Sequence, residues 1–462
     1  MSAKNSSHLD WLLARIEQRG DTPAVAVGDQ VCSYAELARS YHDWRERLSA
    51  AGVAGGEVVS VEEGYRLASI GALLAGASLG CILVPLSSDS RTQHDRFRQL
   101  ASVGWRLRCF GPDPAAEPTG VGANHPIYQQ LRDAGHPGLV LFTSGSTGES
   151  KAAVHDFTLL LEKFEKPRQQ LRTIVFLQLD HIGGVNTLLY TLANGGMVVV
   201  SEDRSPAAVC RAIASHRVEL LPTSPTFLNL LLLSEEYTRC DLTSLRLITY
   251  GTEPMPESTL QRMNEVFPQI QLQQTYGLTE LGILRSQSRD SRSLWVRVGG
   301  EGFETKTVEG RLWIRARSAM LGYLNAPSPF DAEGFLDTGD RVEVDGQWLR
   351  ILGRQSEIIN VGGSKVYPSE VESVLLEMEG VLDATVRGEA HALTGQVVTA
   401  TVQLAGAELP REFRARMRQH CLGRLPTYAV PVRVVFSVEP LHNARFKRMR
   451  RWGAGVKESG SS

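Results

Sequence analysis

Residues 142–151 read Phe142-Thr143-Ser144-Gly145-Ser146-Thr147-Gly148-Glu149-Ser150-Lys151, directly after the apolar run at 139–142. The run predicts a short strand that leads into a loop of small and hydroxyl residues. Glycines let backbone amides approach an anion closely, hydroxyls add donors, and Lys151 adds a positive charge suited to phosphate. The interval between Gly145 and Gly148 is too short for a Walker A loop. Taken alone, such a stretch favours a plain polar turn, so its meaning depends on its neighbours.

Short apolar strands and amphipathic helices alternate on both sides of this loop. Ser33 and Glu36 form a capping box at the start of a predicted helix that ends at Gly52. Further strands are predicted at 58–61, 174–177, 197–200, 219–221 and 245–250, and a further helix at 185–192. Repeated strand–helix units predict an α/β fold in which a largely parallel sheet is covered by helices on both faces.

The pattern changes after Arg354. Pro368 opens a predicted helix at its first turn, and the helix ends at Gly380. Strands near 384–387, 397–404 and 432–436 and a helix at 411–422 complete a unit of ordinary domain size. The sequence therefore predicts a large N-terminal domain of layered sheets and helices, 1–354, and a smaller α+β C-terminal domain, 355–462.

The composition disfavours several classes of protein. The formal net charge of the 462 residues is −2, which argues against nucleic acid as a partner. The six cysteines form no CxxC pair and have no zinc spacing, so we expect free thiols in a reducing cytoplasm. The N-terminus lacks the apolar core of a signal peptide, and the Gly-rich apolar run at 69–86 fits a buried helix and strand better than a membrane span. We therefore expect a cytoplasmic location and no membrane span.

The most basic stretch runs from 445 to 451, near the C-terminus. Its arginines fit a tail that binds anionic surfaces, a phosphate site, or a merely solvated face. The sequence leaves these three interpretations open.

Three further stretches carry polar residues suited to nucleotide chemistry. Residues 275–280 read Thr275-Tyr276-Gly277-Leu278-Thr279-Glu280, and the final carboxylate is a hard oxygen ligand of the kind that Mg²⁺ prefers. Residues 334–340 end in Asp340, which can accept hydrogen bonds from ribose hydroxyls. The third stretch begins at Gly353-Arg354 and runs to 370.

With these four stretches in this order, the chain resembles the ANL superfamily, which comprises acyl- and aryl-CoA ligases, adenylation domains of nonribosomal peptide synthetases, and firefly luciferases. The resemblance covers roughly residues 20–455 and rests on FTSGSTGESK, TYGLTE, GFLDTGD and GRQSEIINVGGSKVYPSEVE. It implies an enzyme that uses ATP and Mg²⁺ to transfer AMP to a small carboxylic acid, and that then hands the acyl group to a second nucleophile.

The resemblance also implies roles for individual residues. The β- and γ-phosphates of ATP would be wrapped by Thr143, Ser144, Gly145, Ser146, Thr147, Gly148 and Lys151. Thr279 would contact the α-phosphate, and Glu280 would hold Mg²⁺. The nucleoside would be bound by Gly251, Thr252, Glu253, Thr275, Tyr276, Gly277, Asp340 and Arg354. Within that set, Tyr276 would stack on adenine, and Asp340 and Arg354 would hold the ribose.

The catalytic lysine of the superfamily corresponds to Lys447 in this chain. The pair Arg445-Phe446 stands before it, where the superfamily usually has Ser-Gly. The resemblance implies a mobile C-terminal domain, which rotates about a hinge near Ser356 between adenylation and acyl transfer.

His181 admits two interpretations. A lone histidine after a strand is usually a core residue. The resemblance instead implies that His181 lines the acyl pocket and gates the acceptor channel, and it joins Lys447, Thr279 and Glu280 as a candidate catalytic residue. The pocket residues expected near it are mostly apolar, which favours an apolar or aromatic acid. An amino acid substrate would need an acidic partner for its ammonium group, and the orientation of the nearby Asp180 is open.

The acceptor of the acyl group is open as well. We favour CoA, as in an acyl- or aryl-CoA ligase. The alternatives are an amide ligase of the coronafacate type, which passes the acyl group to an amino acid amine, and the loading of a carrier-protein thiol. A non-catalytic binding protein on the same fold is disfavoured, because every expected ATP-site residue is present. Acceptor choice depends on the shape of the pocket, which the core motifs do not encode.

Overall fold

The computed structural model describes residues 8–111, 113–144, 149–443 and 446–450, with the backbone alone described for Ser144. Twelve α-helices lie in this part of the chain. They are α1 (Asp10–Glu17), α2 (Tyr34–Ala51), α3 (Leu67–Ser78), α4 (His94–Leu100), α5 (Pro126–Ala134), α6 (Phe157–Leu161), α7 (Ile182–Ala193), α8 (Pro206–His216), α9 (Pro225–Ser234), α10 (Glu257–Val266), α11 (Pro368–Leu376) and α12 (Pro410–Cys421).

One seven-stranded sheet is parallel apart from one edge. Its strands are β1 (Pro23–Val27), β2 (Gln30–Ser33), β9 (Arg172–Ile174), β10 (Met197–Val200), β11 (Leu220–Thr223), β12 (Leu247–Tyr250) and β13 (Gln271–Gln274). Their spatial order is β13-β12-β11-β9-β10-β1-β2, and only the β1–β2 pair is antiparallel. The carboxyl ends of β11, β12 and β13 therefore lie at the same edge.

A second seven-stranded sheet has a parallel centre and antiparallel edges. Its strands are β3 (Val58–Glu62), β4 (Ile82–Leu86), β5 (Trp105–Arg108), β6 (Ala115–Pro118), β7 (Gly138–Ser144), β8 (Ser150–Asp156) and β20 (Gly322–Tyr323). Their spatial order is β20-β8-β7-β4-β3-β5-β6. The predicted parallel sheet is thus two sheets, and a buried cluster from α1, α2, α3 and α7 packs between them.

The remaining strands form antiparallel or mixed sheets. A six-stranded sheet contains β16 (Ser286–Ser288), β17 (Trp295–Val298), β18 (Phe303–Val308), β19 (Arg311–Ala316), β21 (Leu336–Asp345) and β22 (Trp348–Arg354). A two-stranded ribbon pairs β14 (Gly277–Leu278) with β15 (Gly282–Ile283). The small C-terminal domain contains β23 (Ile359–Val361), β24 (Ser364–Val366), β25 (Val381–His391), β26 (Gly395–Leu404) and β27 (Arg433–Phe436), with α11 and α12.

Helix α2 shows how local sequence sets an element. The Ser33 hydroxyl accepts from the Glu36 backbone N–H at 3.2 Å, and the Ser33 N–H donates to the Glu36 carboxylate at 2.7 Å. Gly52 ends the helix with φ of 83°, a left-handed conformation that costs glycine little. Both predicted caps are confirmed. Trp44 and Leu48 are buried on its inner face.

The bounds of several other predicted elements were wrong, and one is the helix that starts at Pro368, which ends at Leu376 and not at Gly380. Helix α7 begins at Ile182 instead of 185, because His181 caps it and two glycines continue it. The strand predicted at 174–177 lies at Arg172–Ile174. Within the described ranges, no helix combines the length and the apolar character that a membrane crossing requires.

Candidate active site

A cleft of about 1540 Å³ lies between the large and the small domain. Its floor is built at the edge where the carboxyl ends of β11, β12 and β13 meet. Thr223 ends β11, Gly251 follows β12, and Thr275 follows β13. Parallel α/β sheets bind ligands at this edge, because loops and helix starts converge there.

The cleft brings together most of the residues proposed from sequence. Those on its wall are Thr143, Lys151, His181, Gly251, Thr252, Thr275, Gly277, Thr279, Glu280, Arg354 and Lys447. Glu253, Tyr276 and Asp340 lie directly behind the wall and contact residues on it or next to it. Gly145, Ser146, Thr147 and Gly148, and the side chain of Ser144, lie outside the described residues.

Glu280 and Lys151 meet at one aromatic side chain. The Tyr323 hydroxyl donates to Glu280 Oε1 at 2.5 Å, and Lys151 Nζ lies 5.1 Å from the centre of the Tyr323 ring. Burial and the neighbouring Glu280 raise the pKa of Tyr323, so its hydroxyl stays protonated and can donate. The carboxylate is thereby held in one orientation on the cleft wall, beside a cation.

His155 supports the same segment from behind. It is fully buried, next to the backbone of Thr279 and Ser318. Burial lowers its pKa to about 4, so the ring is neutral at physiological pH. A neutral, buried ring therefore lies behind Thr279 and adds no charge to the wall.

Asp340 forms a buried group with Arg354 and Tyr276. Its carboxylate accepts from Arg354 Nε at 2.8 Å and from the Tyr276 hydroxyl at 2.5 Å. Burial raises the pKa of Asp340, while Arg354, Tyr276 and Lys447 act in the opposite direction. Tyr276 is only 7% exposed, and burial raises its pKa well above its usual value. Arg354 therefore orients one carboxylate oxygen of Asp340, and Tyr276 orients the other.

The end of β12 approaches its neighbour closely. A Cβ atom on Gly251 would lie 2.7 Å from Thr275 Oγ1 and 2.8 Å from the Thr275 carbonyl oxygen. Thr252 follows with φ of 74°. Glu253 then accepts from the Thr226 N–H at 2.8 Å and from the Arg448 N–H at 3.1 Å. Glu253 therefore joins the floor of the cleft to the C-terminal tail.

His181 is half-buried on the cleft wall, so the interpretation as a core residue is wrong. Its Nδ1 accepts from the Gly183 N–H at 3.0 Å and so caps α7, while the ring lines the cleft. The next glycine is required by packing, because a Cβ on Gly184 would lie 1.9 Å from the Gln178 carbonyl oxygen. The close contact holds the start of α7 against the preceding loop.

One face of α7 lines the inner part of the cleft through Gly183, Asn186, Thr187 and Tyr190. Asp180 points elsewhere: its carboxylate accepts from the Ser87 hydroxyl at 2.7 Å and from the Ser90 hydroxyl at 3.0 Å. It is 3% exposed and lies off the cleft wall. Asp180 is therefore not placed to bind the ammonium group of an amino acid substrate.

The tail that carries Lys447 corrects the interpretation of the basic stretch. Arg448 and Arg450 both contact Glu372 of α11, at 3.1 and 2.7 Å, and Glu372 is fully buried. Arg448 also lies 3.5 Å from Asp383. For these two arginines a solvated face and a tail for anionic surfaces are both wrong, because buried carboxylates neutralise them. Arg445 and Arg451 lie outside the described residues.

Three residues that shape the surroundings of the cleft were not among the candidates proposed from the sequence. Tyr323 follows a glycine in a short apolar run, which is a weak signal. Glu372 is an ordinary helix glutamate in the sequence, and its partners follow more than seventy residues later. Phe446 offers only a weak signal in the sequence, a single aromatic inside a basic stretch.

Comparison with known proteins supports one family. A model of the AMP-binding enzyme family matches residues 12–324, and a model of its C-terminal domain matches residues 370–445. The 2-succinylbenzoate–CoA ligase of Bacillus subtilis (strain 168) is 27% identical over 482 residues, covering 96% of each chain.

Solved structures share the fold. The anthranilate CoA ligase AuaEII, solved in complex with anthranoyl-AMP, superposes with a TM-score of 0.81 at 19% identity, covering 96% of this chain and 95% of that one. The amide bond synthetase McbA from Marinactinospora thermotolerans superposes with a TM-score of 0.73 at 23% identity, covering 95% and 97%. The chain thus belongs to the AMP-binding enzyme family of the ANL superfamily and is an AMP-forming acid ligase.

Proposed function

We propose that the enzyme activates an aromatic or apolar carboxylic acid as its acyl-adenylate and then transfers the acyl group to CoA. The observation that carries this proposal is the convergence of Lys151, Glu280 and Lys447, from three separate parts of the chain, on one cleft. In the first step a carboxylate oxygen attacks the α-phosphorus of ATP, and pyrophosphate leaves. In the second step the thiol sulfur attacks the acyl carbon, its proton is lost, and AMP leaves.

The charge on the reacting phosphates sets the roles of these residues. Lys151 and Lys447 offset the negative charge that a carboxylate meets at the α-phosphorus, and Thr279 adds a hydroxyl donor. Mg²⁺ bound to Glu280 would supply further neutralisation. No group of three His, Cys, Asp or Glu side chains that could hold a metal occurs among the described residues. A single carboxylate suits Mg²⁺, which usually combines one or two carboxylates with substrate phosphates.

The walls around α7 support an aromatic or apolar acid. Leu177, Ile283 and the Tyr190 ring line this part of the cleft. Gln178, Asn186 and Thr187 add polar groups to the same lining. The 2-succinylbenzoate–CoA ligase and the anthranilate CoA ligase are named for aromatic acids and for CoA, which supports both halves of the proposal.

The two steps call for two arrangements of the domains. We place the domain boundary after Arg354, where β22 ends, with the hinge near Ser356. Lys447 faces the cleft in the present arrangement, which suits adenylation. Rotation of residues 355–462 would withdraw Lys447 and open a channel for the acceptor.

Product analysis tests the proposal. The enzyme is incubated with ATP, Mg²⁺ and a panel of 2-succinylbenzoate, anthranilate, indoleacetate, 4-coumarate and a fatty acid, with either CoA or mixed amino acids. Acyl-CoA formation, detected by mass, is the expected result. Amides formed instead of thioesters would identify an amide ligase. Formation of the acyl-adenylate without transfer to CoA or to an amino acid would indicate a carrier-protein thiol as the acceptor.

Two variants tie the product to the cleft. Lys447→Ala should lower acyl-adenylate formation by about a hundredfold or more, as expected for the loss of a charge that stabilises a transition state. Lys166→Ala removes a lysine that is 82% exposed and paired with Glu301 at the surface, and should leave the rate unchanged. Equal rates in the two variants would refute the assignment of Lys447.

A further inference from the structure

Phe446, the residue directly before Lys447, inserts its ring into the N-terminal domain. The ring centre lies 5.3 Å from that of Phe176 and 5.8 Å from that of Phe227. Phe176 is 1% exposed and Phe227 is fully buried, so Phe446 adds to the core cluster that surrounds them. A contact of this kind joins the C-terminal tail to the core of the other domain.

Other groups close around the same residue. The His442 ring stacks on Phe446 at 5.0 Å with 15° between the planes, and the Arg204 guanidinium lies 5.6 Å from the ring centre. The Ser224 hydroxyl donates to the Phe446 carbonyl oxygen at 2.9 Å. Both the side chain and the backbone of Phe446 are therefore held.

The backbone of Phe446 is strained. Its φ is 53°, in the left-handed region where a residue with a Cβ is disfavoured and glycine is favoured. The conformation persists in this chain because the aromatic contacts offset its cost. The ring therefore contributes something that a glycine could not.

We propose that Phe446 is a positioning residue for adenylation: it anchors the tail in the aromatic cluster, so that Lys447 projects into the cleft. The inference rests on the proposed role of Lys447 at the α-phosphate. Withdrawal of Lys447 for acyl transfer then requires the Phe446 ring to leave Phe176 and Phe227. The anchor therefore favours the arrangement for adenylation and opposes the withdrawal of Lys447 that acyl transfer requires.

Separate measurement of adenylation and of acyl transfer tests whether Phe446 anchors the tail. With the acid selected by the panel, Phe446→Ala should lower the kcat of pyrophosphate exchange by roughly tenfold, the factor that corresponds to losing the contacts of one half-buried aromatic side chain. The KM for ATP should change little. Acyl transfer from a supplied acyl-adenylate should be unchanged or faster. Phe446→Leu, which restores apolar contact, should recover part of the exchange rate.

A second readout needs no acid. Trypsin cleaves after Lys447, Arg448 and Arg450, and it requires local release of the pinned tail. Phe446→Ala should raise the rate of cleavage in this segment by about tenfold, since opening becomes easier by about the energy of a lost apolar contact. Tyr428→Ala is the matched control, because it removes a C-terminal aromatic that is 43% exposed. It should change neither cleavage nor exchange.

Three results would overturn the proposal: exchange within twofold of wild type, equal loss in both half-reactions by a folded Phe446→Ala protein, or unchanged tryptic cleavage. Lys447→Ala separates this failure from that of the proposed function. If Lys447→Ala abolishes exchange and Phe446→Ala does not, only the anchor is refuted. If wild type produces no acyl-adenylate, the proposed function fails, and the cleavage rates still decide whether Phe446 holds the tail.

Discussion

The buried charge cluster around Glu372 gives the sharpest prediction about stability. Glu372 is fully buried and accepts four hydrogen bonds: from Arg448 at 3.1 Å, from Arg450 at 2.8 and 2.7 Å, and from the Val386 N–H at 3.0 Å. The two guanidiniums lower the pKa of Glu372 against the effect of burial. The substitution Glu372→Gln keeps the shape of the side chain and removes its charge.

The expected loss of stability follows from the two arginines that keep their charge when Glu372 loses its own. The side chains of Arg448 and Arg450 are 4% and 13% exposed, so neither can recover its hydration. Removing one partner of a buried ion pair costs about 3–5 kcal/mol. We expect the free energy of unfolding of Glu372→Gln to fall by that amount, measured by urea denaturation.

Glu389 provides a matched control in the same domain. It also binds two arginines, Arg387 at 2.7 Å and Arg433 at 2.8 Å, but its side chain is 22% exposed and Arg433 is 58% exposed. Glu389→Gln should cost less than about 1 kcal/mol, since water replaces the lost contacts. Equal losses for Glu372→Gln and Glu389→Gln would refute the reasoning that burial sets the cost.

Three further predictions concern the wall of the cleft and the packing around it. Glu280→Gln should lower pyrophosphate exchange by about a hundredfold or more through weakened Mg²⁺ binding, and a loss below tenfold would contradict its role. The pKa of His155 is about 4 in the fold, so the unfolded chain binds more protons between pH 6.5 and 4. Stability should therefore fall by about 3 kcal/mol as the pH drops through that window, and denaturation of His155→Phe should show a shallower fall. Gly184→Ala should destabilise by about 2–3 kcal/mol through its clash with a carbonyl, whereas Gly122→Ala, with open space around its Cβ, should cost less than about 0.5 kcal/mol in thermal unfolding.

Elements set by nearby residues could be predicted from the sequence. The capping box of Ser33 and Glu36 and the final Gly52 lie within one helix, and each acts on its own backbone. The start of α7 was missed because two consecutive glycines disfavour a helix in isolation. Packing against the preceding loop overrides that preference, and the sequence does not show how close the loop comes.

The residues of the candidate site also fall into two groups, those that a local motif reveals and those that depend on distant parts of the chain. Its motifs revealed Thr279, Glu280 and Lys151, since short signatures carry the geometry of a loop with them. The surroundings of Arg448 could not be predicted, because Glu372 approaches it only in the folded molecule. Charge alone suggested exposed arginines, and burial reverses that conclusion.

Under the proposed function, the face of α7 that lines the cleft sets how the range of accepted acids can change. A Cβ on Gly184 would lie 1.9 Å from the Gln178 carbonyl oxygen, so this position is closed to larger residues. Thr187 is tied to its own helix by a bond from its hydroxyl to the Gly183 carbonyl at 2.8 Å. Asn186 and Tyr190 remain as the positions where a mutation can reshape the wall and leave the backbone in place. A small combinatorial library at these two codons would therefore sample new acids at little risk to folding.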